Sequence, residues 1–147
     1  MFSDGPILFP TDFSACSLHA LEKASELAKT YAVRLLILHV VQTLGPENVT
    51  FGEAEKSLQP QGYRERLRAD LDAIQATLPS VLVDHLIAEG DPPRKIVAVA
   101  QERGCGLIVM GTYGHTGLKR LLMGSTTNYV VAHAPCPVLT VKLPVAN

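Results

Sequence analysis

Three stretches of this chain, "PILFP" at 6–10, "VRLLILHVV" at 33–41 and "GLIVM" at 106–110, are apolar without alternation. A strand with one wet face alternates apolar and polar residues, so an unbroken run points to a strand covered on both faces. Two more mixed stretches, "SVLVDHLIAEG" at 80–90 and "CPVLTVKL" at 136–143, suit strands at the edges of the same sheet. Helical patterns lie between these stretches. From Ser14 to Tyr31, Leu21, Ala24, Ala28 and Tyr31 fall on one stripe with Leu27 beside it, and Ser14 suits the capping position. From 62 to 78, Leu67, Leu71, Ile74 and Leu78 recur at helical spacing. "DPPRKIVAVAQERG" opens with Asp91 and two prolines and closes on Gly104, the asymmetry of a helix start and stop. A last short helix begins near Ser125. Strand and helix therefore alternate throughout, which predicts an α/β fold: an open parallel sheet with helices on both faces and right-handed crossovers.

A length of 147 residues is one ordinary domain, 1–147, and 47% hydrophobic content supplies a core of its own. The net charge of −1 and the scatter of the basic residues exclude a nucleic-acid binder driven by phosphate neutralisation. No apolar run approaches the roughly 18 residues of a membrane span. The N-terminus lacks the charged-then-apolar layout of a secretion signal, so a cytoplasmic protein with no membrane partner is expected. Cys16, Cys105 and Cys136 show no metal-ligand spacing and read as free thiols. None of the five histidines forms an HxxxH or HExxH pair, so no metal held by protein ligands is expected. His39 reads as a satisfied core or crevice-edge residue. G-x-S-x-G is absent, and no catalytic residue is assigned. The segment 42–62 carries Gly45, Pro46, Gly52, Pro60 and Gly62 with few apolar residues, and reads as a long, mobile surface loop.

Function points to "VMGTYGHTGLKRLLMGSTTNYV" at 109–130. Gly111 directly follows a strand, at the carboxyl end where open α/β sheets bind ligands. Glycines at 111 and 114 let the main chain pass against a bound group. Gly124 gives a tight lead-in to the last helix. Ser125, Thr126 and Thr127 then supply hydroxyls and unpaired N–H groups at its start, where anions are favoured. A phosphate chain is the natural guest, although neither a P-loop nor a Rossmann dinucleotide fingerprint is present. Lys119 and Arg120 read as a solvated helix face. Asp12 follows the first strand in Pro10-Thr11-Asp12. It either accepts hydrogen bonds from a ribose or helps hold a divalent cation at the same crevice, or only begins an Asx-turn, and spacing leaves these readings open.

"ILFPTDFS" at 7–14, "LLILHVV" at 35–41, the glycine-rich stretch extended over 106–131, and "PCPVLTVK" at 135–142 together resemble the universal stress protein family. The family motif G-x2-G-x9-G-[ST] is met without departure by Gly111, Gly114, Gly124 and Ser125, which marks the family's ATP-binding branch. The resemblance implies a five-stranded, Rossmann-like parallel sheet of order 3-2-1-4-5. It implies that Pro10, Thr11 and Asp12 border an adenosine, and that Val40 or Val41 meets the adenine through backbone atoms. Met110 and Gly111 then lie near ribose and base. Gly114, His115, Gly117, Gly124, Ser125 and Thr126 line the phosphates, which Mg2+ or Mn2+ accompanies. Residue 115 is His where relatives often carry Lys, Arg or His, and Gly117 stands where many have another small or polar residue. The resemblance further implies a homodimer through the C-terminal strand, 137–142, an apolar edge that needs covering.

The function these features imply is ATP capture with a divalent cation, as a regulatory module in a stress response whose occupancy is seen by a protein partner. The alternative is an enzyme, a slow ATPase or an autophosphorylating phosphotransferase, for which Asp12, His115 and Ser125 are the only candidate groups. A nucleotide-free scaffold is disfavoured by the intact motif.

Overall fold

Five strands emerge in the computed structural model, which describes residues 4–42, 62–112 and 124–142. They are β1 (Ile7–Pro10), β2 (Leu35–Gln42), β3 (Val83–Gly90), β4 (Leu107–Gly111) and β5 (Val138–Val141). All pair in parallel, in the order β3-β2-β1-β4-β5. The unbroken apolar runs take the inner places. Every residue of β1 and β4 is buried, whereas β3 and β5 at the edges are only partly covered.

Four helices cover the two faces: α1 (Ala15–Tyr31), α2 (Tyr63–Ala73), α3 (Pro92–Glu102) and α4 (Ser125–His133). Alternate strand residues point to opposite faces, so Phe9, Ile37 and Val109 pack with Ala20, Ala24 and Ala28 of α1 and Leu71 of α2. On the other face Leu8, Leu38 and Ile108 pack with Ile96 and Val99 of α3 and Val130 of α4. This is the α/β architecture and strand order expected.

Helix boundaries follow local chemistry except at one end. Ser14 caps α1, its Oγ accepting the Ser17 N–H at 3.2 Å. Gly104 takes φ +61° just beyond α3, a left-handed turn that suits glycine. The helix expected over 62–78 stops at Ala73. The periodic residues continue, but tertiary bonds hold the backbone extended: His85 Nε2 donates to the Ile74 carbonyl at 2.7 Å, and the Thr77 N–H donates to Ser25 Oγ at 3.1 Å. Ile74 and Ala76 still pack on the core, from a non-helical segment. Beyond its end residues Gln42 and Gly62, the loop expected over 42–62 lies outside the described residues.

The chain leaves β1 for β2 on one side and later places β4 on the other. That reversal opens a crevice beyond the carboxyl ends of the central strands.

Candidate functional site

The crevice has a volume of about 490 Å³. Its described walls come from five places in the chain: Pro10–Asp12 after β1, Leu38–Val40 and Gln42 on β2, Asp91–Pro93 and Ile96 at the start of α3, Met110 and Gly111 ending β4, and Gly124–Thr127 at the start of α4. Ser17 of α1 completes the floor.

The turn from β1 into α1 is densely hydrogen-bonded. The Thr11 N–H donates to the Leu38 carbonyl at 2.8 Å, extending the ladder by one bond. Thr11 Oγ1 accepts from the Phe13 N–H at 3.0 Å and from the Ser17 hydroxyl at 2.6 Å. Asp12 Oδ1 accepts the Ser14 N–H at 2.9 Å. Asp12 thus makes the Asx-type turn, and it also lines the crevice. Phe13 carries φ 64°, a conformation costly for a bulky side chain, and its ring lies 4.6 Å from that of His39.

Strand register separates Val40 from Val41. Arg34 and Leu38 direct their carbonyls to β1, whereas the Leu35 N–H turns to Leu82 beside β3. Backbone polar groups alternate sides along a strand, so Val40 faces β1 and Val41 faces β3. The β1 ladder ends at Pro10 opposite Leu38. Val40 therefore directs its backbone into the crevice, while Val41 is buried and pairs with Glu89.

Two helix starts face this space, and they differ. Pro92 and Pro93 open α3, and proline has no N–H to offer. Leu38, Val40, Ile96 and Met110 add apolar surface to the crevice wall, beside the polar Asp91 and Gln42. Helix α4 opens with Ser125, Thr126 and Thr127, and Gly124 at its cap has no side chain to bond the first N–H groups. Thr127 is spoken for, since its Oγ1 donates to the Gly111 carbonyl at 3.0 Å. Ser125 is exposed and Thr126 half-buried.

The fold gives two of the motif glycines contacts that spacing alone does not show. A Cβ on Gly111 would stand 2.9 Å from both the carbonyl oxygen and the Sγ of Cys16. The direct packing of α1 against β4 therefore leaves no room for a side chain at Gly111. Gly124 has ordinary extended geometry, φ −61° and ψ 166°, and a Cβ there would meet the Thr112 carbonyl at only 3.7 Å. Its N–H fixes the lead-in to α4, donating to that carbonyl at 2.8 Å.

Pro10, Thr11, Asp12, Val40, Met110, Gly111, Gly124, Ser125 and Thr126 thus meet around one crevice, and Val41 stands outside it. Gly114, His115 and Gly117 lie outside the described residues. Sequence reasoning missed Asp91, Pro92, Pro93, Ile96 and Gln42. The helix start after β3 was legible, and a doubly wound topology puts every such start at the same sheet edge. Among the described residues, no group of three or more His, Cys, Asp or Glu side chains could hold a metal ion, and no helix is long and apolar enough to cross a membrane.

Comparison with known proteins agrees with this fold. The sequence profile of the universal stress protein family matches residues 5–142. Universal stress protein MJ0531 of Methanocaldococcus jannaschii is 34% identical over 140 residues, covering 94% of this chain and 82% of its own. Universal stress protein MJ0577 of the same organism is 32% identical, covering 92% and 93%. The solved structure of MJ0577 superposes with a TM-score of 0.81 at 30% identity, over 97% of this chain and 99% of that one. Two further solved structures share the fold. A universal stress protein in complex with cAMP has a TM-score of 0.66 at 23% identity, over 95% and 98% of the two chains. The protein from Archaeoglobus fulgidus in complex with dAMP has a TM-score of 0.61 at 21% identity, over 97% and 100%.

Proposed function

The chain belongs to the universal stress protein family, and from that premise we propose that it captures ATP at the switch-point crevice as a regulatory module of the cytoplasm. The observation that carries this reading is the contrast between the crevice's two ends. The apolar end beneath Pro92, Pro93 and Ile96 suits a purine, with the Val40 backbone reading its edge. The donor-rich start of α4 suits a polyphosphate, through N–H groups that have no partner within the helix, the helix dipole and the Ser125 and Thr126 hydroxyls. Asp12 lines the same crevice, where a carboxylate is the kind of acceptor that ribose hydroxyls need. The volume falls within the range of small-molecule sites.

The complete G-x2-G-x9-G-[ST] set at Gly111, Gly114, Gly124 and Ser125 supports the ATP-binding branch of the family. Gly114 belongs to the proposed phosphate subsite by that motif, and His115 and Gly117 by the family resemblance. Mg2+ or Mn2+ fits as a counter-ion held by the phosphates. The Asp12 carboxylate and the Ser125 hydroxyl, both on the crevice wall, are oxygen groups that would hold it, and the metal would neutralise the polyanion. The cAMP and dAMP complexes speak for the shared fold, so the nucleotide reading rests on this chain's own crevice. We further propose that residues 1–147 act as one nucleotide-binding domain, that the 42–62 segment answers occupancy, and that two copies pair through 137–142.

Release of ligand from the purified protein tests the reading. Denaturation should liberate intact adenine nucleotide, and calorimetry with ATP and Mg2+ should show saturable binding. ADP accumulating with time and metal would favour the hydrolytic alternative. Failure of ATP to bind at millimolar concentration would sink both.

A further inference from the structure

His39 stands on the crevice wall, and its Nδ1 lies 2.8 Å from the Thr11 carbonyl oxygen. A carbonyl oxygen only accepts, so Nδ1 carries the hydrogen and donates it. The position of this bond is informative. In a parallel ladder a residue that donates to one partner accepts from the residue two further along. The Thr11 N–H donates to the Leu38 carbonyl, so a continued ladder would bring the Val40 N–H to the Thr11 carbonyl. Here the His39 imidazole takes that place. Thr11 is buried, 5% exposed, and a buried carbonyl needs a partner. The side chain of one β2 residue thus does for β1 what the next residue's backbone would otherwise do.

We propose that His39 is a positioning residue: by satisfying the Thr11 carbonyl it stops the β1–β2 ladder one bond short, and so keeps the Val40 N–H available to the edge of a bound purine. This inference rests on the nucleotide reading above and names the device that opens its base subsite. The same bond anchors the residue before Asp12, in a turn that already holds Phe13 at positive φ. Among the described residues His39 is bonded to Thr11 and set beside Phe13, both in the turn after β1 and away from α4 in the chain. Its contribution is confined to ligands that carry a base.

The test uses the intact protein, with ATP, adenosine and tripolyphosphate as probes in calorimetry. His39→Leu removes the donor. His39→Asn returns an N–H at the same branch of the side chain. His39→Leu should weaken ATP and adenosine about tenfold, as for a lost buried partner, and leave tripolyphosphate unchanged; His39→Asn should recover most of the loss. Native ATP affinity in a folded His39→Leu protein, or an Asn variant as weak as the Leu one, overturns the proposal. Amide hydrogen exchange of the ligand-free wild type judges it without any variant. The Val40 amide should exchange as an unprotected group, and slow exchange there would mean that the ladder is already closed. A wild type that binds no adenine nucleotide defeats the functional reading instead, and the exchange result still decides the role of His39.

Discussion

At Gly111 a single hydrogen atom separates packing from collision. The missing side chain is required by the backbone carbonyl and the thiol of Cys16 on α1, each 2.9 Å from where a Cβ would stand. Gly111→Ala should therefore destabilise the fold by about 1–3 kcal/mol, read as a lower urea midpoint. Adding Cys16→Ala should restore only part of this, because the carbonyl remains. Full recovery in the double variant would show that the thiol alone is the obstacle. The Cys105 thiol is governed by burial, which pushes it up from 9.0 to about 11, with a further upward push from the neighbouring Cys136. Below pH 9.0 the thiol is protonated folded and unfolded alike. As pH rises from there towards about 11, the unfolded chain gives up the proton first, so stability falls through that window. Cys105→Ala should flatten this decline in urea midpoints measured from pH 8 upward. An identical slope in the variant would assign the decline to other groups.

At the scale of elements, the two helix starts at the crevice divide its chemistry. Proline is tolerated at the first position of a helix, as α3 itself shows at Pro92. Ser125→Pro should therefore leave α4 intact while deleting one N–H and one hydroxyl from the proposed phosphate end. ATP affinity should fall at least tenfold, as expected for loss of a charge-assisted donor, with adenosine affinity and the circular dichroism spectrum unchanged. Equal loss for adenosine would place the base, not the phosphates, at this end. The helix expected to reach Leu78 teaches a related lesson. Its stripe of Leu71, Ile74 and Leu78 is periodic in sequence, yet the backbone leaves the helix after Ala73. Ser25, fully buried on α1, and His85 on β3 supply partners that extended backbone can reach and a helix would not need. Periodicity reports which residues seek the core, and tertiary hydrogen bonds decide the path by which they arrive.

For the whole molecule, the parallel sheet leaves β5 as an edge, with Leu139 on it 38% exposed and Val131 of α4 46% exposed. If two copies pair through 137–142 as proposed, Leu139→Lys should yield monomer by light scattering, since a charged edge discourages strand pairing. A dimer that persists would assign the contact to another face. Much of this architecture was legible in the chain itself. Unbroken apolar runs demand cover on both faces, Ser14 and Asp91-Pro92 mark helix starts, and the Gly111-to-Ser125 motif marks the crevice. These signals are local, because each depends on residues near one another in sequence. What the sequence left open depends on neighbours distant in sequence. Val40 and Val41 are alike as letters, and only the register with β1 turns the backbone of one of them toward the crevice. Gly111 announces a need for space, and only the packing of α1 shows that Cys16 claims it. His39 is one more residue in an apolar strand until Thr11, brought beside it by the fold, gives its imidazole a carbonyl to hold.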